Sequence, residues 1–209
     1  MRINQKRNPW TTLKTREIYK NPWIHVSERD VINPAGGKGI YGIVSFQNVA
    51  VGVLALDDHD RILLVGQYRY ALGAYSWEIP EGGSPLSTSP LASAKRELKE
   101  ETGFSAKKWS KLLSLHLSNS CTDERAEIFL ARDLKPGAAE PEDTEQLAVK
   151  WIPLTEAVRL VESGKITDAI SVAAILQGDR LMNGIQKSTR RLPAKKKSRN
   201  SQRSNGNRG

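Results

Sequence analysis

The sequence predicts an α/β protein, a sandwich built around a mixed β-sheet, and three observations lead there. Apolar, β-branched runs of strand length crowd the chain between residues 23 and 70, helix signals follow at three separate places, and no βαβ unit repeats. The order is therefore strands, helix, strands, helices. At 209 residues the chain can fill one core, so we expect one folded domain over residues 21–182, flanked by tails.

Residues 1–20 read as an N-terminal extension. WIHVSERDVI (23–32) and IYGIVSF (40–46) flank NPAGGKG, whose Pro and Gly residues suit a turn, so residues 21–47 read as a β-hairpin. NVAVGVLAL and RILLVGQYRY repeat that pattern around the acidic turn DDHD (57–60) and read as central strands. LLSLHLS (112–118), AEIFLARDL (126–134) and VKWIPL (149–154) supply further strands. Helices are predicted over Leu91–Thr102, Thr155–Glu162 and Asp168–Gln177.

The net charge of +9 suggests nucleic acid at first sight, but its location decides more than its size. From Arg180 to the end there are ten Lys and Arg and no Asp or Glu, which leaves residues 1–179 at about −1. The basicity belongs to a tail, residues 183–209, too polar to offset its ordering entropy by burial and so expected to be disordered. Such a tail solubilises, or makes a weak, salt-dependent contact with nucleic acid or anionic lipid. No run of 18 apolar residues argues for membrane insertion, and MRINQKRNPW offers no apolar stretch for a signal peptide. Cys121 is alone, as expected in a reducing compartment, so a cytoplasmic location is expected.

The stretch GGSPLSTSPLASAKRELKEETGF (82–104) carries the chemistry. Ser89-Pro90 suits a helix start, Gly103 a left-handed stop, and Leu91, Ala94 and Leu98 form one apolar stripe. Glu97, Glu100 and Glu101 share a neighbouring stripe beside Arg96. Like charges at that spacing repel by a few tenths of a kcal/mol per pair, and each also opposes the helix dipole by about 0.3–1 kcal/mol. A hard divalent cation such as Mg²⁺ relieves that conflict. A solvated Lys/Glu face remains the alternative on spacing alone.

The run resembles the Nudix hydrolase box: Gly, five residues, Glu, seven residues, then Arg-Glu-apolar-x-Glu-Glu-x-Gly-apolar. Gly82 opens it, Arg96 to Phe104 fill its second half in register, and Thr88 stands where the first Glu belongs. The resemblance implies a Nudix fold, an α/β/α sandwich preceded by the N-terminal hairpin. It also implies Mg²⁺ (or Mn²⁺) held by Glu97, Glu101, Glu100 and the backbone carbonyl of Glu81, with Arg96 orienting the carboxylates.

The flanks narrow the resemblance. GQYRYALGAYSWEIPEGG (66–83) is similar to the segment before the box in ADP-ribose pyrophosphatases and related nucleoside diphosphate sugar hydrolases, which read Gln-Tyr-Arg and then Trp-Glu-apolar-Pro-Ala-Gly. By that likeness Arg69 contacts the diphosphate, and Glu78 fixes Arg69 or substrate. Trp23 and Tyr41 match aromatic positions that sandwich the nucleobase, in hairpins that cross between subunits, which implies a homodimer. LSNSCTDERAEIFLA (117–131) resembles the segment bearing a late glutamate that serves as base, here Glu124 or else Glu127. The family proline is Asn119 in this chain, which turns the likeness from ADP-ribose specialists toward sugar-diphosphate hydrolases. The implied activity is hydrolysis of a nucleoside diphosphate sugar, such as ADP-ribose or GDP-mannose, to a nucleoside monophosphate and a sugar phosphate. Alternatives are a Nudix hydrolase of a dinucleoside polyphosphate or RNA 5′ end, and a non-catalytic nucleotide sensor.

Overall fold

A computed structural model describes the backbone of residues 8–139 and 146–190, with side chains as far as residue 184. In chain order the elements are β1 (Thr11–Lys20), β2 (Ile24–Ile32), β3 (Lys38–Phe46), β4 (Asn48–Ala55), β5 (Arg61–Arg69), β6 (Ala74–Glu78), β7 (Glu81–Pro85), α1 (Pro90–Thr102), β8 (Ser105–His116), β9 (Arg125–Lys135), β10 (Ala148–Pro153), α2 (Leu154–Glu162) and α3 (Ala169–Arg190).

The central strands alternate, and both of their faces are covered. Val51, Val53 and Ala55 of β4 pack with Leu63, Ala94, Leu98 and Phe129 beneath α1. Leu54, Leu56, Ile62, Leu64 and Ile128 point the other way, into a core closed by Leu154 and Ala157 of α2 and Ile170, Ala174 and Ile175 of α3. Helices therefore cover both sides of the sheet layer, which is why β4 and β5 read as nearly continuous apolar runs. Gly52 allows α3 to approach β4 closely: a Cβ there would lie 2.6 Å from Cγ2 of Ile170.

The expected mixed sheet comes in two pieces. One runs β7-β4-β9-β8 and pairs β4 with β9 in parallel; the other runs β10-β5-β6. β4 has β7 on one edge and β9 on the other, so β5 packs against it through side chains, is bridged to the end of β4 at Leu56–Ile62, and forms its ladders with β10 and β6.

The predicted hairpin is present as β2 and β3, and the extension before it supplies a third strand. β1 pairs antiparallel with β2, tied by Arg16 to Asp30 and Glu28 at 2.7 Å each. Its mixture of Thr, Lys, Arg and Glu hid it, because a strand exposed on both faces carries no period-2 apolar signal. α3 also runs further than the predicted Gln177, so residues 183–190 of the expected disordered tail continue a helix. Residues 191–209 lie outside the described residues.

Candidate active site

α1 is set against β7 by its own small residues. Ser93 donates its hydroxyl to Ser84 Oγ at 2.9 Å, both being buried, and Gly103 ends the helix at φ 75° with its N–H bonded to the Lys99 carbonyl. Ser89 occupies the N-cap position without a side-chain capping bond, so the start rests on Pro90 rather than on the expected hydroxyl. From this helix Glu97 and Glu101 project inward, 9% and 2% exposed. The carboxylate of Glu97 lies on the backbone of Gly82, where a Cβ would come within 2.2 Å of its Cδ. Glu101 accepts the N–H of Glu81 at 3.1 Å. Arg96 binds Glu97 at 2.5 Å, Glu100 at 2.8 Å and the Gly83 carbonyl at 3.1 Å, bracing the outer side of the same helix. Glu100 stays on that outer side, next to Arg96.

Beside the helix end lies an ion cluster. Arg69, at the end of β5, donates Nε to both oxygens of Glu78 at 3.1 and 3.0 Å and Nη2 to Glu81 at 2.6 Å. β5 and β6 pair with Val65 opposite Glu78 and Arg69 opposite Ala74, so the long arginine side chain reaches back along the pair to meet Glu78. Burial alone would weaken the positive charge of Arg69; its bonds to Glu78 and the nearby charge of Glu81 outweigh that and hold its pKa above the ordinary range. Burial drives the Glu81 carboxyl well above the usual carboxylate range, and Asp168 and Glu78 push in the same direction.

Asp168 is the residue that sequence reasoning missed. It caps α3, accepting the Ser171 N–H at 2.7 Å, and one oxygen each of Glu78, Glu81 and Asp168 lies within 4.8 Å of the others. Its capping role was the only local signal it gave. The hydroxyl of Ser171 in turn accepts the N–H of Ile79 at 2.9 Å, which ties the helix start to the turn between β6 and β7. The structure also separates the two late glutamates. Glu124 has its carboxyl raised by burial and by Asp168, whereas Glu127 is bound to Lys111 at 2.5 Å and Ser114 at 3.3 Å on the sheet.

This arrangement can hold a divalent ion between α1 and β7: two inward carboxylates face a strand whose glycine leaves them room. The NUDIX domain model matches residues 46–173, which span every one of those side chains.

The chain belongs to the NUDIX family.

In this NUDIX protein residues 10–44 match a second description, the nucleoside diphosphate sugar hydrolase N-terminal domain, which corresponds to β1–β3. The chain is 35% identical to the ADP-ribose pyrophosphatase of Mycobacterium tuberculosis (strain ATCC 25618 / H37Rv) over 73% of its own length and 75% of that protein's. It is 34% identical to the ADP-ribose pyrophosphatase of Bacillus subtilis (strain 168), covering 78% and 89%. A crystal structure of an ADP compounds hydrolase superposes with a TM-score of 0.77 at 24% identity over 87% of this chain and 98% of that one, so the fold is shared.

The two aromatic residues of the hairpin are not brought together within one NUDIX chain. Tyr41 stands opposite Arg29 in the β2–β3 register, while the carbonyl of Trp23 accepts the N–H of Gln47 at the far end. Tyr41 lines a cavity of about 410 Å³ with Trp10, Arg29 and Cys121, and its ring meets Trp10 edge-on at 5.4 Å. Its hydroxyl donates to the Ser120 carbonyl. Trp23 projects into solvent, 67% exposed. Trp77 packs against Tyr75 and beneath Lys150, whose Nζ sits 3.6 Å from the ring centre.

Proposed function

We propose that this NUDIX protein hydrolyses the diphosphate of nucleoside diphosphate sugars, ADP-ribose and GDP-mannose among them, to a nucleoside monophosphate and a sugar phosphate. The observation that carries the reading is the seating of Glu97 and Glu101 against the Glu81–Gly82 backbone, with Arg69 braced at the same edge. Relatives named ADP-ribose pyrophosphatase, and one named GDP-mannose pyrophosphatase at 29% identity, support the substrate class.

In this reading Glu97, Glu101 and the backbone carbonyl of Glu81 hold Mg²⁺ or Mn²⁺, and Glu100, bonded to Arg96 on the outer side of α1, adds its charge to theirs. Bound there, the ions neutralise the diphosphate and make water a better nucleophile. Arg96 keeps Glu97 and Glu100 in place. Arg69 engages Glu78 and Glu81 through Nε and Nη2, and its Nη1 is the donor turned over to a substrate phosphate. Glu124, with its raised carboxyl pKa, accepts the proton of the attacking water. Trp23 of one copy and Tyr41 of another stack the base across a homodimer. No helix among the described residues is long and apolar enough to cross a membrane, and the free, exposed Cys121 supports a cytoplasmic setting.

The test is a phosphate-coupled assay on a panel of nucleotide sugars with Mg²⁺, for wild type and Glu101→Gln. We expect the variant to keep its circular dichroism spectrum and lose at least 100-fold in turnover. Unchanged turnover at saturating Mg²⁺ overturns the assignment.

A further inference from the structure

We propose that Glu78, Glu81 and Asp168 form a further divalent-cation site, separate from the box helix, that fastens the start of α3 to the β6–β7 segment. The three residues come from three elements or their edges, and no one of them lies on α1. One oxygen from each falls within 4.8 Å of the other two. Ligands on opposite sides of an ion with bonds of about 2.0–2.6 Å stand about 4–5 Å apart, so the group is already at coordination distance.

The second observation is an orphan. Oε1 of Glu81 accepts Arg69, but Oε2 is sealed from solvent and has no hydrogen-bond partner. A buried carboxylate oxygen without a donor is costly, and water or an ion normally satisfies it. Charge points the same way. Arg69 is the cation bonded to this group, and it faces two carboxylates directly while Asp168 uses Oδ2 for the Ser171 N–H. Three carboxyl groups thus share one guanidinium, with Glu101 near Glu81 and Glu124 near Asp168. An all-oxygen donor set of this kind selects a hard ion such as Mg²⁺, Mn²⁺ or Ca²⁺.

The inference does not depend on the substrate assigned above, because it concerns binding by the free protein. Mn²⁺ titration of the full-length chain, followed by electron paramagnetic resonance without nucleotide, tests it. With Glu97→Gln and Glu101→Gln together, one Mn²⁺ equivalent should persist. Adding Asp168→Asn, or in a separate protein Glu81→Gln, should weaken that equivalent at least tenfold; two routes guard against either variant failing to fold, which circular dichroism reports. Manganese anomalous scattering from soaked wild-type crystals should place a peak within bonding distance of Glu78, Glu81 and Asp168. A peak against Glu97 and Glu101 alone, or Mn²⁺ binding indifferent to both Glu81→Gln and Asp168→Asn, overturns the site. Absence of nucleotide-sugar hydrolysis would instead refute the proposed function and leave the Mn²⁺ result standing.

Discussion

Gly82 sets how near Glu97 can come to the strand. A methyl group there would stand 2.2 Å from the Glu97 carboxyl carbon and 2.3 Å from Oε1, so Gly82→Ala must displace the carboxylate or the helix that carries it. The side chain can rotate away more cheaply than α1 can move. We therefore expect Gly82→Ala to retain its melting temperature within a few degrees and to lose tenfold or more in kcat, read in the nucleotide-sugar assay; an unchanged kcat would separate Glu97 from the chemistry. Thr88 gives the opposite expectation. It is exposed in the turn after β7, its N–H bonded to the Pro85 carbonyl, and away from the Glu97–Glu101 stripe. Thr88→Glu should change kcat by less than about threefold, a magnitude set by the small worth of exposed charges. At this scale the glutamates of the box were legible through the likeness to the Nudix box, since their spacing alone also fits a solvated face, and the structure turns Glu97 and Glu101 inward while Glu100 stays with Arg96. Arg69 and Glu78 were legible as a pair through the likeness of their segment. Asp168 was not, since the aspartate that opens DAISVAAILQ reads as a helix cap and its approach to Glu78 and Glu81 depends on how α3 packs on the sheet.

Elements end where local chemistry says they should, and two of those ends can be weighed. Gly103 closes α1 at φ 75°, and an added Cβ would also meet the Gly137 carbonyl at 2.5 Å. Conformational strain alone costs about 1 kcal/mol for a non-glycine residue there, so Gly103→Ala should lower stability by more than that in urea unfolding. The turn between β4 and β5 depends on Asp57, which accepts the N–H of His59 at 2.9 Å, the N–H of Arg61 at 2.8 Å and Nε of Arg61 at 2.8 Å. Burial pushes the Asp57 carboxyl up, but those donors outweigh it and hold the pKa below its ordinary value. A depressed carboxyl stabilises the fold fully above the unfolded-state value of about 3.9 and loses that contribution as pH falls through the folded value. Asp57→Ala should thus be less stable than wild type at pH 7 by about 1–3 kcal/mol, with the difference closing only below about pH 4. Strands buried on both faces announced themselves through apolar runs. β7 did not, because Gly82 and Gly83 remove the pattern where close approach is needed, Gly83 against Asn48 as Gly82 against Glu97.

The N-terminal sheet is the part of the molecule whose single-chain surroundings are least complete. It joins the rest of its own chain through the Val44–Thr122 bridge and the bonds from Phe46 to Asp123 and Tyr41 to Ser120, while Leu13, Ile18, Trp23 and Ile40 stay 57%, 59%, 67% and 68% exposed. So many large apolar groups on one small sheet mark a surface that binds something. Trp23 lies six residues before Arg29, the register partner of Tyr41, so the two aromatics are separated by roughly 20 Å of strand and cannot clamp one base from a single chain. A two-fold dimer can bring Trp23 of one copy to Tyr41 of the other, twice. Sedimentation should then find wild type dimeric and Ile40→Asp monomeric, with a raised KM in the latter. The sharper measurement is complementation. Trp23→Ala and Tyr41→Ala should each raise KM at least tenfold while keeping the dimer. When the two are mixed and allowed to exchange, heterodimers contain one site with both aromatics and one with neither, so random exchange restores about a quarter of the wild-type sites. A clamp made within one chain, or no clamp at all, would restore none.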